Sequence, residues 1–257
     1  MFSESMTWGV LPVGFQKLCD RNGNRMVVRC GREHEIDFSS CSNAGNASTD
    51  SGHQGRGNLC RLAMSDGETA LVRQYLHGGA FRSLTGRWFF TWPPRPFREL
   101  SITEELRRRG LRTVEVYAAC VSRGFGPFYR GCLVTRELRD AVDLWSALQN
   151  GSVERLGWQP TMKAVAESLR ALHREGVYHS DLNLKNILLR QEADAVVSYI
   201  IDFDKAKLFL GKLRGDLVKR NFDRLLRSVN KLDPERKYFS TAAWLELLDY
   251  YHEAPDV

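Results

Sequence analysis

His179, Asp181 and Asn186 stand in the stretch VYHSDLNLKNILLR (177–190), and Asp202 follows in YIIDFDK (199–205). These residue types suit phosphoryl transfer, which needs few chemical actors. One carboxylate orients an acceptor hydroxyl and takes its proton. One or two Mg²⁺ ions bridge the phosphates, and cations and backbone amides hold the remaining oxygens. Mg²⁺ takes oxygen ligands, which Asp and Asn side chains carry. On this reading Asp181 is the base and Asn186 and Asp202 hold the metal. His179 anchors the loop by hydrogen bonds. A plain polar loop between strands does not explain all four residues in this order.

Positioning them requires a loop between short strands and a helix to brace it. Residues 161–175, TMKAVAESLRALHRE, put Met162, Val165, Ala166, Leu169 and Leu172 on one helical face, and Gly176 ends the helix. Val177–Tyr178 then reads as a short strand entering the loop, and 196–203 as an apolar strand carrying Asp202 at its end. Pairing of the strands after Asn186 and before Asp202 would bring those two residues together. Two more amphipathic helices close the chain, marked by Phe222, Leu225, Leu226 and Val229, then by Trp244, Leu247, Leu248 and Tyr251.

The first half reads differently. Residues 39–57 are small, polar and Gly-rich and read as a loop. Leu59 to Met64 and Glu68 to Tyr75 read as strands joined by Ser65-Asp66-Gly67. Pro96 precedes a helix over Phe97–Arg109 stopped by Gly110, and 114–121 and 128–138 read as strands. Strand-rich first and helix-rich second predicts an α+β chain of two lobes: 1–139, an N-terminal extension and β-rich lobe, and 140–257, a helical lobe. A doubly wound sheet would need regular alternation of strand and helix.

HSDLNLKN fits the kinase catalytic-loop pattern H-x-D-x-x-x-x-N, and Asp202-Phe203-Asp204 stands where protein kinases have Asp-Phe-Gly. The chain further resembles the bacterial 3-deoxy-D-manno-octulosonic acid (Kdo) kinases of the lipopolysaccharide-core kinase family. The likeness runs from about residue 52 to 252. It rests on Gly55-Arg56-Gly57, Val72-Arg73-Gln74-Tyr75, Arg95-Pro96-Phe97-Arg98-Glu99-Leu100, the two stretches above, and Arg224-Leu225-Leu226-Arg227-Ser228. The resemblance implies a two-lobed protein-kinase-like fold and an ATP- and Mg²⁺-dependent kinase acting on a Kdo–lipid A acceptor. It implies Asp181 as base, Asn186 and Asp202 as Mg²⁺ ligands, and Gly55 and Gly57 over the ATP phosphates. Glu99 would pair with Arg73, which stands where most kinases carry lysine, as in the Kdo-kinase branch. Asn183 replaces the lysine often found after the base, so Asn183 or Lys185 would meet the γ-phosphate or the acceptor. Asp204 replaces the motif glycine, and no Ala-Pro-Glu follows, which argues against a protein kinase with an activation loop.

Composition bounds the alternatives. The 257 residues carry 43% hydrophobic residues and a net charge of +6. No stretch has the layout of a secretory signal or a membrane span. The expected place is the cytoplasm, peripheral on the inner-membrane face. The six cysteines form no C-x-x-C pair and read as reduced, scattered thiols. No helix–turn–helix, zinc or RNA-binding motif supports nucleic acid as a partner, and no obligate protein partner is expected. Residues 81–98 interleave Phe81, Trp88, Phe89, Phe90, Trp92 and Phe97 with Arg82, Arg87, Arg95 and Arg98. They read either as a membrane-facing surface or as rings packed between a sheet and its helix. The competing functions are a kinase of core heptose, aminoglycoside or protein, and a kinase-like scaffold without catalysis.

Overall fold

The computed structural model describes residues 7–43, 59–76 and 87–253. Gly55, Gly57, Phe81 and Arg82 lie outside the described residues. The chain clusters into two compact units: Met1–Glu105 with Glu115–Glu137, and Leu106–Val114 with Leu138–Val257.

The first unit is built on a six-stranded antiparallel sheet in the order β1-β2-β5-β6-β4-β3. The strands are β1 (Phe15–Cys19), β2 (Arg25–Arg29), β3 (Leu59–Ala63), β4 (Thr69–Gln74), β5 (Val116–Arg123) and β6 (Tyr129–Arg136). The β1–β2 turn is tied by Asp20, whose carboxylate accepts from the amides of Asn22 and Asn24 at 2.9 and 2.8 Å. Alternation along the strands divides the core. Met26, Val28, Ala70, Val72, Tyr117, Cys120 and Cys132 pack on one face, with Cys41 of the short helix α1 (Phe38–Asn43). Val27, Tyr75, Val116, Ala119 and Leu133 pack on the other, with Phe97 and Leu100 of α2 (Arg95–Arg108). Gly131 lets α2 come this close, because a Cβ there would run into the Pro96 ring.

The rings of the aromatic segment mostly take the packing role. Phe89 and Phe97 are buried, and Trp92 packs against them, while Phe90 is 61% exposed. Arg95 stacks 4.7 Å from the Phe89 ring and Arg130 4.2 Å from the Trp88 ring. The cysteines are not all scattered thiols. Cys41 and Cys120 are disulfide-bonded across 79 residues, because α1 packs on the face of β5 that carries Cys120. Cys19, Cys30, Cys60 and Cys132 are free.

The second unit is mostly helical: α3 (Leu144–Gln149), α4 (Ser152–Leu156), α5 (Trp158–Arg174), α6 (Gly215–Leu232) and α7 (Thr241–Glu253). A three-stranded sheet, β10-β9-β7, joins β7 (Val142–Asp143), β9 (Ile187–Glu192) and β10 (Ala195–Ile200). A two-residue ladder joins β8 (Val177–Tyr178) to β11 (Lys207–Leu208). Met162, Val165, Ala166, Leu169 and Leu172, the apolar stripe of α5, are all fully buried. Asp143 caps α3 by accepting from the Ser146 amide at 3.0 Å. Among the described residues no helix is long and apolar enough to cross a membrane.

Candidate active site

Gly176 starts the site. It follows α5 in the left-handed conformation at φ +73°, which glycine adopts without strain. A Cβ there would also collide with the backbone of Phe209 and Gly211. The chain thus turns tightly from α5 into β8, and β8 delivers the loop 179–186.

His179 holds that loop from inside. It is 1% exposed. Its Nδ1 accepts from the Asp181 amide at 3.3 Å and its Nε2 donates to the Ile201 carbonyl at 3.0 Å. Its ring lies 5.2 Å from that of buried Phe203. Burial pushes its pKa below the usual imidazole value, so the neutral ring serves as a bridge between the loop and the 201–203 segment.

Two asparagines tie the Asp181 backbone. The Asn183 amide donates to the Asp181 carbonyl at 2.8 Å, and its oxygen accepts from the Lys185 amide at 3.0 Å, capping the 3₁₀ turn Leu184–Asn186. Asn183 therefore spends both ends of its side chain on the loop. Asn186 Nδ2 donates to the same carbonyl at 2.9 Å. That bond leaves Oδ1 of Asn186 as its acceptor end. Antiparallel pairing of β9 and β10 sets Ile187 opposite Ile200, and the Ile201 amide donates to the Asn186 carbonyl at 3.0 Å. The ladder thus carries Asn186 and Asp202 to the same end of the sheet.

Asp202 has φ +69°, uncommon for a residue with a side chain and of a kind that collects at functional sites. The Asp181 carboxyl, on the open side of the loop, has its pKa raised by burial and next by the Asp202 charge; His179, Lys205 and Arg224 oppose this. Two carboxylates close enough to couple, one with an upward-shifted pKa, suit a proton acceptor beside a cation holder.

The sequence-identified residues of the first unit form a second group. Arg73 on β4 donates from Nη2 to both Glu99 oxygens, at 2.6 and 2.7 Å, and Glu99 is 2% exposed. Tyr75, just past the end of β4, two positions from Arg73 and on the same face, donates its hydroxyl to Glu99. The Arg73 guanidinium also lies 5.0 Å from the Tyr75 ring. Motif reading included Tyr75 beside Arg73 but gave it no role. Its signal was the period-two spacing from Arg73.

The lipopolysaccharide kinase (Kdo/WaaP) family model matches residues 46–251. A 3-deoxy-D-manno-octulosonic acid kinase of Pasteurella multocida is 33% identical over 204 residues, covering 77% of this chain and 82% of that protein. The protein of the same name from Haemophilus influenzae strain 86-028NP is 31% identical, over 78% of this chain and 83% of that protein. That from Vibrio vulnificus strain YJ016 is 36% identical, over 63% and 66%. A solved structure of WaaP in complex with acyl carrier protein superposes with a TM-score of 0.57 at 21% identity, covering 90% of each chain, a likeness of fold.

Proposed function

This chain belongs to the lipopolysaccharide kinase (Kdo/WaaP) family, and from that premise we propose that it moves the γ-phosphoryl group of ATP to a hydroxyl of Kdo on a Kdo–lipid A acceptor. It is a phosphotransferase with an alcohol group as acceptor, and its curated relatives are named as Kdo kinases. The observation that carries the reading is the β9–β10 ladder. It brings Asn186 and Asp202 to one end of the sheet, beside the loop that carries Asp181.

In this reading Asp181 accepts the proton of the acceptor hydroxyl as its oxygen bonds to phosphorus and ADP leaves with the bridging oxygen. The upward-shifted pKa strengthens Asp181 as a base. His179, Asn183 and the Asn186 amide hold the loop so that little reorganisation remains at the moment of transfer. Asn186 Oδ1 and the Asp202 carboxylate are hard oxygen donors, which fits Mg²⁺. When bound there, that ion neutralises phosphate charge. Lys185, in the same 3₁₀ turn, contacts phosphate. Arg73, held by Glu99 and Tyr75, is the cation that the family resemblance assigns to phosphate contact. Gly55 and Gly57, which the family resemblance assigns to the ATP phosphates, lie outside the described residues. The protein works at the cytoplasmic face of the inner membrane, where such an acceptor is presented.

The test is direct. Purified protein with ATP, Mg²⁺ and Kdo–lipid A in detergent should give a product one phosphate heavier by mass spectrometry, with the phosphate on Kdo in the fragment spectrum. Unchanged Kdo–lipid A, beside phosphorylation of a heptose-bearing core acceptor, would overturn the acceptor assignment.

A further inference from the structure

Helix α6 carries a row of cations that the reaction described above does not use. Arg220, Arg224, Arg227 and Lys231 are spaced by four, three and four residues, which puts them on one helical face. Eleven residues at the helical rise make a row roughly 16 Å long. Arg220, Arg227 and Lys231 are exposed and Arg224 is half-buried. Among the described residues none of the four has a carboxylate within ion-pair distance. By contrast Lys219 and Arg214 are paired, with Asp223 and Asp216.

The row meets the catalytic loop at Arg224. Its Nε donates to the Tyr178 hydroxyl at 3.1 Å and its guanidinium lies 5.8 Å from the Tyr178 ring. One turn on, Ser228 Oγ accepts from the Leu184 amide at 3.2 Å. The helix is therefore pinned to the loop on both sides of Asp181. Lys205, in the segment after Asp202, is exposed, and among the described residues it has no carboxylate within ion-pair distance. A row of cations pinned beside this loop, with no carboxylate at ion-pair distance, suits an anion arriving next to Asp181.

We infer that this row, led by Arg224, seats the acceptor, and that its occupant is a sugar–lipid headgroup carrying a carboxylate and phosphates. The inference rests on Asp181 facing the acceptor hydroxyl. Arg224, with one guanidinium edge fixed by Tyr178, offers its remaining N–H groups to a carboxylate in the forked geometry that suits it. Arg220, Arg227 and Lys231 extend the same sign of charge to phosphates farther along the headgroup. Sugar acids carry that carboxylate close to their hydroxyls, so Arg224 selects an acidic sugar over a neutral one.

Steady-state kinetics and vesicle binding test this separately. Arg224→Gln should raise KM for Kdo–lipid A by about 10- to 100-fold, with KM for ATP within about twofold, and Arg224→Lys should recover part of the loss. Wild-type protein should co-sediment with vesicles containing Kdo–lipid A without nucleotide. Joint replacement of Arg220, Arg227 and Lys231 by Gln should weaken that binding at least tenfold while leaving the thermal melt unchanged. Equal vesicle binding by wild type and triple variant would overturn the proposal, as would a KM change confined to ATP. So would wild type that ignores these vesicles and uses the row to hold an acidic carrier protein. Wild type that binds the vesicles through the row but transfers no phosphate would refute the proposed reaction and leave the anion surface standing.

Discussion

A carboxylate gains strength as a base when its surroundings disfavour its charge, and the same surroundings weaken the fold. Asp181 is in that position: burial and the neighbouring Asp202 both raise its pKa. With a folded pKa above the unfolded one, its ionised form costs stability once pH rises past the unfolded value. The carboxyl is open on one side, so solvent screening keeps the effect below about 1 kcal/mol. Asp181→Asn should therefore lower kcat by about 10³-fold and leave the urea midpoint unchanged or slightly raised. A variant that loses activity together with several kcal/mol of stability would make Asp181 a structural residue. The rate of the wild type should fall on the acid side with a midpoint above the usual aspartate value near 3.8. The grouping of His179, Asp181, Asn186 and Asp202 was the most legible part of the molecule, because their spacing sets them on one loop and on adjoining strand ends. The tie between Asn183 and the Asp181 carbonyl was not legible, since an asparagine that caps a turn and one that touches phosphate look the same in a string of letters.

Helices α5, α6 and α7 meet at His173, whose Nδ1 donates to the Tyr251 hydroxyl at 2.9 Å and whose Nε2 accepts from the Asn221 amide at 3.0 Å. Burial lowers its pKa to about 4. The unfolded chain binds a proton near the ordinary value of 6.5, so the unfolded state takes up more protons between those two values. Stability is therefore complete above about pH 6.5 and lost as pH falls towards 4. At pH 5 the loss from this residue is about 2 kcal/mol relative to pH 7.5. His179 is shifted in the same direction, so His173→Phe should remove part, not all, of the difference between urea curves at the two pH values. A variant with undiminished acid sensitivity would exclude His173 as its source. The apolar stripe of α5 was readable because five residues at helical spacing all point into one core. The β1–β2 hairpin escaped notice. Its residues bury only when β2 finds β5, nearly a hundred positions away (Val27 opposite Ala119, Met26 opposite Cys120), and no local pattern records such a partner.

At the scale of the molecule, the thiols report on a packing that the sequence alone leaves open. Six cysteines with no paired spacing look independent until α1 is laid on the sheet, where the sulfurs of Cys41, Cys120 and Cys132 fall within 4.8 Å of one another. Cys41 and Cys120 are bonded, and burial pushes the Cys132 thiol up to about 12, so Cys132 has almost no thiolate at neutral pH and makes a poor nucleophile beside the disulfide. Cys19 and Cys30 are exposed. Alkylation of the native, non-reduced protein should therefore mark Cys19 and Cys30 within minutes and Cys132 only after unfolding. Cys41 and Cys120 should be marked only after unfolding and reduction together. Closing a loop of 79 residues typically contributes about 2–4 kcal/mol, and both ends lie in the first unit. Hydrogen exchange should consequently quicken on reduction in β2, β5 and β6 while α5 keeps its protection. Rapid native labelling of Cys132, or faster exchange in α5 alone, would contradict this placement of the three sulfurs in the core beneath α1.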